Sequence, residues 1–125
     1  QKRLYEAGLF GRKTGKGYYD YAENSKLPEP DRNTQKGKYI FERIVSLLIN
    51  EAAEARFLNI ASAEDIDLAM TRGVNYPKGL LRWCDEIGAG TVLKNLNTLF
   101  EDYGDDRYRP SLLLKKMDAE KRMFF

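Results

Sequence analysis

Few side chains in this sequence are of the types that carry catalytic chemistry. The chain of 125 residues has no histidine and a single cysteine, Cys84. The absence of histidine excludes Ser-His and Cys-His nucleophilic systems, the commonest general base near neutral pH and the commonest metal ligand. Cys84 stands beside Trp83 in an apolar stretch, where a thiol without an activating base is expected to be buried and inert. We therefore expect neither a metal site nor a nucleophilic site.

A glycine-rich run with basic residues, Gly11 to Gly17, invites comparison with a phosphate-binding loop. That loop needs a longer spacer between its glycines and a Ser or Thr after its lysine, whereas here Gly15 ends the spacer and Gly17 follows Lys16. The basic residues could instead contact a nucleic-acid backbone. A net charge of +2, however, gives no field that would attract one. The run is expected to be a solvated turn.

Two acidic pairs are the remaining candidates for general acid/base chemistry. Asp65 and Asp67 stand in the first turn of a predicted helix, where negative charge interacts favourably with free amides and the helix dipole. Asp85 and Glu86 stand near the end of another predicted helix, where they could accept hydrogen bonds from neighbouring backbone. The structural role is favoured for the first pair, and no chemistry is assigned to the second.

Helical periodicity dominates the part of the chain that must position these residues. Apolar residues recur three or four apart from about Lys38 to Ile60, which predicts one long central helix. Ser62 and Asp65 resemble a capping box for a short helix that runs to about Arg72. Further helices are predicted to end at Gly88, to cover 92–103, and to run from Ser111 through Met117 in the direction of Met123.

The start of the chain is organised differently. Residues 1–10 predict a terminal helical turn, residues 18–21 a short extended arm, and the Pro-rich, charged residues 22–37 a linker. No stretch shows sustained two-residue alternation. The predicted fold is therefore all-α, with about five helices packed around one long central helix. No apolar run approaches the roughly 20 residues that span a bilayer, and no secretion signal is present, so we expect a cytoplasmic protein.

Two blocks of sequence carry a resemblance to a known family. The run from Asp65 to Gly88 contains D-I-D-x-A-M, G-x-x-Y-P-x-G and D-x-x-G in that order. It resembles the all-α C-terminal domain of the 3-hydroxyacyl-CoA dehydrogenases, although Leu80 stands where the family usually has proline. The segment from Gly8 to Tyr21 resembles the end of the same domain. The residues that match family motifs are Arg43, Asp65, Asp67, Gly73, Tyr76, Pro77, Gly79, Asp85 and Gly88.

The order of the two blocks implies a domain organisation. Residues 1–21 are expected to be the tail of a preceding domain, residues 22–37 a linker, and residues 38–125 a second copy of the helical domain. Some members of the family carry two such copies after a nucleotide-binding domain. The resemblance therefore implies that this chain is the C-terminal fragment of a longer protein.

The long helix departs from the family pattern at one position. Catalytic copies of the domain show F-I-x-N-R, in which the Asn helps position the substrate near the catalytic His and Glu of the preceding domain. Here the run Tyr39 to Arg43 places Glu42 where that Asn belongs. A carboxylate would repel an enolate-like charge instead of stabilising it. The resemblance thus implies a non-catalytic copy with no catalytic or cofactor-binding residue of its own.

The resemblance also implies a function for the parent protein, which would oxidise 3-hydroxyacyl-CoA to 3-ketoacyl-CoA with NAD. This chain would form a homodimer or pack against the NAD-binding domain of the parent chain, and would help close the acyl-CoA cleft. It would bind no cofactor, nucleic acid or membrane itself. Two alternatives stay open. A self-sufficient enzyme would cluster Asp, Glu or Lys in a pocket, and a free-standing helical protein-interaction module would expose an apolar groove along the long helix.

Overall fold

The computed structural model describes residues 1–26 and 28–125 in two compact units, residues 1–33 and 34–125. Leu27, part of the predicted linker, lies outside the described residues. These residues form helices and, in place of strands, only isolated bridges, so the all-α prediction is confirmed. The helices are α1 (Lys2–Glu6), α2 (Thr34–Phe57), α3 (Ala63–Leu68), α4 (Leu80–Ile87), α5 (Ala89–Tyr103) and α6 (Leu112–Glu120).

The first unit consists of α1 and a tight double turn, and none of its described residues is buried. A 3-10 turn forms over Arg12–Thr14, and the N–H of Gly11 donates to the carbonyl of Lys16 at 2.9 Å. A β-carbon on Gly17 would lie 2.8 Å from the α-carbon of Gly11, so only glycine permits this approach. The aromatic arm is folded back by a bridge between Lys16 and Asp20, and is less extended than predicted.

The second unit is a bundle of five helices, in which α3, α4, α5 and α6 pack around α2. Its centre consists of fully buried aliphatic side chains from four different helices, Ile49, Leu81, Leu96 and Leu114. Burial of each such side chain contributes about 1.5–3 kcal/mol before conformational entropy is subtracted. By contrast, residues 34–44 of α2 include no buried residue. Neither α2 nor any other described helix has the length and apolar character needed to cross a membrane.

The ends of α2 differ from those expected. The helix begins at Thr34 instead of about Lys38, so it takes in the last part of the predicted linker. It ends at Phe57 instead of near Ile60. The reason is Asn59, which adopts a left-handed φ of +55° and closes the last turn. Asn is one of the few side chains that tolerate this conformation.

The connection between α3 and α4 contains a left-handed residue. After α3 the chain forms one π-helical turn, Ala69–Gly73. The left-handed φ occurs at Asn75, at +57°, and not at Gly73. Gly88 ends α4 as predicted, with φ of +89°. The next helix, α5, begins directly after it at Ala89.

The last helix is shorter than its apolar pattern suggests. Ser111 caps its start, since the Ser111 hydroxyl accepts the N–H of Leu113 at 3.2 Å. The helix ends at Glu120 and not at Met123. Lys121 adopts a left-handed φ of +54° there, which stops the helix although no glycine is present.

Candidate functional site

Asp67 is the one buried carboxylate among the described residues, at 6% exposure. Its two oxygens accept the N–H groups of Leu81 at 2.8 Å and Arg82 at 3.0 Å. These amides begin α4, where free N–H groups and the helix dipole favour a negative charge. Gly79 permits the approach, because a β-carbon there would overlap the Asp67 carboxylate. Asp67 therefore caps α4, and not the first turn of its own helix as predicted.

Asp65 occupies the capping position that the sequence indicates. Its backbone N–H donates to the Ser62 hydroxyl oxygen at 3.1 Å, and the Ser62 hydroxyl donates to the Asp65 carboxylate at 2.8 Å. Tyr76 and Pro77 lie in the turn before α4, where Tyr76 is half-buried and Pro77 exposed. The N–H of Tyr76 donates to the carbonyl of Met70 at 3.1 Å. None of these contacts places a reactive group in a cavity.

Asp85 holds the end of the described chain. Its carboxylate accepts the N–H of Phe124 at 2.9 Å and the N–H of Phe125 at 3.1 Å. The guanidinium of Arg82 lies 4.0 Å from the centre of the Phe125 ring. The neighbouring Glu86 forms a surface ion pair with Lys78. The bonds to Asp85 thus come from backbone distant in sequence, and not from the neighbouring backbone that the sequence suggested.

Arg43 joins α2 to α5 and to the turn that follows α5. It donates hydrogen bonds to the hydroxyl groups of Tyr103, at 3.2 Å, and Tyr108. Its guanidinium carbon lies 4.7 Å and 5.2 Å from the centres of the same two rings. The hydrogen bond to Tyr108 raises the pKa of Arg43. Arg43 is thus a structural cation held by aromatic rings.

Tyr39 extends this cluster. Its hydrogen bond with Tyr103 lowers the pKa of Tyr103 and raises that of Tyr39. Arg43 acts in the same direction on Tyr103, because its positive charge favours the phenolate. The cluster orients the first part of α2, where Glu42 lies next to Arg43.

Glu42 lies at a cleft between α2 and the segment formed by α4 and α5. The cleft encloses a cavity of about 220 Å³. Glu42 is half-buried, and its nearest cation is Lys38, at 3.7 Å. The cavity is lined by Lys38, Phe41, Glu42, Val45, Ser46, Ile87, Thr91 and Asn95. The structure therefore brings the residue predicted to replace the family Asn into contact with a small, largely apolar cavity.

Two buried polar residues of α2 were not singled out by the sequence. Asn50, at 5% exposure, donates to the carbonyl of Arg109 at 3.1 Å and accepts the N–H of Ser111 at 2.8 Å. Ser46, at 3% exposure, accepts a hydrogen bond from Asn95 at 3.2 Å. The sequence contains one indication of these contacts: an amide and a hydroxyl stand at core positions of the apolar stripe of α2. Because buried polar groups need hydrogen-bond partners, such residues are expected to bond to other segments.

A larger cavity of about 360 Å³ brings titratable groups together near the end of α2. Its charged lining residues are Glu51, Glu54, Asp106, Arg107, Arg109 and Lys115. This is the clustering that a self-sufficient enzyme would require. Glu51 and Asp106 are exposed, however, and Arg107 is paired with Asp105 at 2.8 Å. That bond lowers the pKa of Asp105 and raises that of Arg107, which fits a solvated ion pair and not a catalytic acid.

Cys84 is 1% exposed. Burial raises the pKa of its thiol to about 12, with a further contribution from the Asp85 charge. A thiol in this state is not a nucleophile at neutral pH. In the described part of the chain, no three His, Cys, Asp or Glu side chains are grouped so that they could hold a metal ion.

Comparison with known proteins identifies relatives of this chain. The family described as "3-hydroxyacyl-CoA dehydrogenase, C-terminal domain" matches residues 39–124. The chain is 46% identical over 74 residues to the 3-hydroxyadipyl-CoA dehydrogenase of Escherichia coli (strain K12), covering 59% of this chain and 16% of that protein. It is 34% identical over 136 residues to the fatty acid oxidation complex subunit alpha of Shewanella sp. (strain MR-4), covering 92% of this chain and 19% of that protein.

A solved structure shares the fold. The crystal structure of 3-hydroxybutyryl-CoA dehydrogenase from Escherichia coli K12 matches 95% of this chain and 43% of that chain, with a TM-score of 0.77 and 23% identity. The chain thus spans less than half of the solved structure and less than a fifth of each of the two curated relatives above.

Proposed function

Because the chain belongs to the 3-hydroxyacyl-CoA dehydrogenase family through the C-terminal domain that residues 39–124 match, we propose that it is the C-terminal part of an NAD-dependent enzyme of this family. The parent protein oxidises 3-hydroxyacyl-CoA to 3-ketoacyl-CoA, with its catalytic histidine outside this chain. The second unit provides a helical platform for domain packing or homodimerisation and helps to close the acyl-CoA cleft. It takes no part in the chemical step.

The observation that carries the non-catalytic role is Glu42. The family resemblance places Glu42 where catalytic copies have Asn, and Glu42 lines a cavity beside α2. An enolate-like transition state is stabilised by groups that donate hydrogen bonds to its developing negative charge. A carboxylate cannot donate such a bond, and it repels the charge. The nearest cation, Lys38, is largely exposed and lies 3.7 Å away, so it offsets this repulsion only weakly.

The described residues do not fit a dinucleotide. Such a cofactor is held by a strand, a glycine-rich turn and a helix N-terminus, whereas these residues form helices and isolated bridges only. The glycine-rich turn of the first unit is followed by aromatic residues and not by a helix. We therefore assign NAD to another domain of the parent protein.

Packing against another domain or subunit is supported by the first part of α2. Ile40, Phe41 and Ile44 are 46%, 47% and 51% exposed, although they are large apolar side chains on adjacent turns of one helix. A contiguous apolar surface of this kind is typical of an interaction site. The same observation favours the alternative of a free-standing helical interaction module, so the two hypotheses need a test on the parent protein.

The proposed domain order, with residues 1–21 as the tail of one helical domain and residues 38–125 as the next copy, is supported by matching helix ends. In α1 the N–H of Gly8 bonds to Tyr5 and that of Leu9 bonds to Leu4 at 2.9 Å. In α6 the corresponding donors are Lys121 and Arg122, and the Arg122 bond to Met117 is also 2.9 Å. Both ends contain a left-handed residue, with φ of +69° at Gly8 and +54° at Lys121.

This correspondence aligns Lys2-Arg3-Leu4 with Lys115-Lys116-Met117. Each segment then has two basic residues followed by an apolar one, and each helix is followed by a left-handed residue. We infer that residues 22–33 connect the two copies and that the first helix of the second copy starts at Thr34.

The catalytic part of the proposal is tested by assaying the purified chain with acetoacetyl-CoA and NADH. No turnover above background is expected from the chain or from its Glu42→Asn variant, because the histidine and the dinucleotide domain are absent from both. Turnover that disappears in a Glu42→Gln variant would overturn the proposal.

The packing part is tested in the parent protein with Ile44→Asp, which places a charge on the exposed apolar face. The expected result is a loss of dimer or of domain packing in sedimentation, together with lower dehydrogenase activity. Leu112→Asp is the matched control, since Leu112 is 49% exposed but lies on α6. If Ile44→Asp behaves like Leu112→Asp, the packing role is wrong.

A further inference from the structure

The cavity beside Glu42 has the construction of a small ligand site. Its apolar lining consists of Phe41, Val45 and Ile87, and its lining also includes Ser46, which is 3% exposed. At about 220 Å³, it is smaller than the cavities that hold drug-sized ligands. It therefore suits one short chain or side chain and not a complete cofactor.

The polar lining of this cavity includes one carboxylate, Glu42, and one cation, Lys38, together with Ser46, Thr91 and Asn95. Ser46 accepts a hydrogen bond from the amide nitrogen of Asn95 at 3.2 Å, which leaves the carbonyl oxygen of Asn95 as an acceptor. A site with apolar walls, a carboxylate and an amide carbonyl is complementary to an apolar ligand that carries several donors and a positive charge.

The cation already present does not satisfy Glu42 fully. Lys38 lies one helical turn before it, with 3.7 Å between the ammonium nitrogen and the carboxylate oxygen, and its side chain is 75% exposed. Exposed pairs of this type contribute little. A ligand that places its ammonium next to Glu42 and its chain in the cavity gains apolar burial that Lys38 does not provide.

We propose that this cleft binds an aliphatic ammonium group, with its methylene chain against Phe41, Val45 and Ile87 and its ammonium on Glu42 and Asn95. The carboxylate of Glu42, in place of the neutral Asn of the family pattern, then gives the cleft a preference for a cation. The inference concerns the same cleft as the proposed non-catalytic role, but it does not depend on the reaction of the parent. An amine titration therefore tests the ligand of the cleft, whereas a dehydrogenase assay tests the non-catalytic role, and either proposal can be contradicted without the other.

The test is an NMR titration of the ¹⁵N-labelled chain at low ionic strength with hexylammonium chloride, hexan-1-ol and sodium hexanoate. Saturable shifts are expected for the amides of Phe41, Ile87 and Thr91, which line the cavity. The ammonium ion should bind about two- to fivefold more tightly than the alcohol, as one partly solvated ion pair allows, and hexanoate should bind most weakly. Equal binding of the three ligands, or the absence of saturable shifts at these residues, would overturn the proposal.

Three variants sharpen the test. Glu42→Gln should abolish the preference for the ammonium ion over the alcohol, and Lys38→Met should strengthen ammonium binding because it removes a competing cation but keeps an unbranched apolar stem. Glu101→Gln is the matched control, since Glu101 is an exposed carboxylate of α5 that does not line the cavity. An unchanged preference in Glu42→Gln, or weaker ammonium binding in Lys38→Met, would contradict the assignment.

The ammonium group has two possible sources, a free alkylamine and the lysine side chain of a packed neighbour. Titration with Nα-acetyl-lysine amide distinguishes them. Binding as tight as that of hexylammonium identifies a lysine side chain as a ligand that the cleft admits. Binding of hexylammonium alone identifies a free amine, because the peptide group then prevents entry.

Discussion

The carboxylate of Asp67 occupies the space that a side chain on Gly79 would need. Both residues belong to the block of sequence that carries the resemblance to the family, and the structure explains why they occur together. Asp67 reaches across to the first amides of α4, at 2.8 Å and 3.0 Å, and it can do so only past a residue without a β-carbon. The pair therefore fixes the angle at which α4 leaves the turn after α3.

Gly79→Ala is expected to destabilise the second unit by about 1–3 kcal/mol, because the new methyl group displaces a buried, fully bonded carboxylate. Urea denaturation followed by circular dichroism measures the change. Gly37→Ala is the matched control, since a β-carbon there meets nothing within 4 Å. In the interior of α2 this substitution should stabilise by up to about 1 kcal/mol. Equal effects of the two substitutions would show that the Asp67 contact is unimportant.

Asp85→Asn is expected to loosen the end of the chain. The Asn side chain is neutral and has one acceptor oxygen in place of two. The hydrogen bonds from the N–H groups of Phe124 and Phe125 are therefore weakened, which lowers the free energy of unfolding by about 1–2 kcal/mol. Hydrogen exchange should accelerate at these two amides first. Glu86→Gln provides the comparison, because its ion pair with Lys78 lies on the surface and should contribute no more than about 1 kcal/mol. Unchanged exchange in Asp85→Asn would contradict the assigned role.

Local signals in the sequence predict the helices well. The apolar stripe of α2 repeats over many turns, so its core section follows from periodicity alone. Gly88 and Ser111 mark helix ends through their own conformational and hydrogen-bonding preferences. By contrast, Asn59 and Lys121 end helices in a left-handed conformation that neither residue type requires, so periodicity does not locate these two helix ends.

The site is harder to predict because it depends on contacts between helices. Nothing near Asp85 indicates that its carboxylate bonds to Phe124, 39 residues away. In the same way, the sequence places Asp67 in the first turn of α3 and gives no sign of its bonds to α4. Glu42 could be singled out by the family resemblance, but the cavity beside it requires the packing of α2 against Ile87 and Asn95.

The tyrosine cluster around Arg43 predicts a divided alkaline titration. Tyr103 should ionise below the ordinary tyrosine value of 10.0 and Tyr39 above it. Since the pKa of Tyr103 is lower in the folded protein, its ionisation favours the fold only at alkaline pH, and this contribution is lost as the pH falls through the folded pKa. NMR of ¹³Cζ-labelled tyrosine measures both values. Tyr39→Phe should return the pKa of Tyr103 towards 10, whereas Tyr18→Phe, in the first unit, should leave the pKa of Tyr103 unchanged. If Tyr39 and Tyr103 have the same pKa in the unsubstituted protein, the interaction between them is contradicted.

Cys84 should resist thiol reagents in the folded protein. Its pKa of about 12 leaves roughly one thiol in ten thousand ionised at pH 8, and its 1% exposure blocks access. Labelling with Ellman's reagent is therefore expected only through unfolding, at a rate that rises with urea in parallel with the loss of helical signal. The Gly79→Ala variant should label faster than the unsubstituted chain, because it unfolds more readily, and Gly37→Ala should not. Rapid stoichiometric labelling of the folded chain at pH 8 would show that the thiol is accessible and that α4 does not shield it.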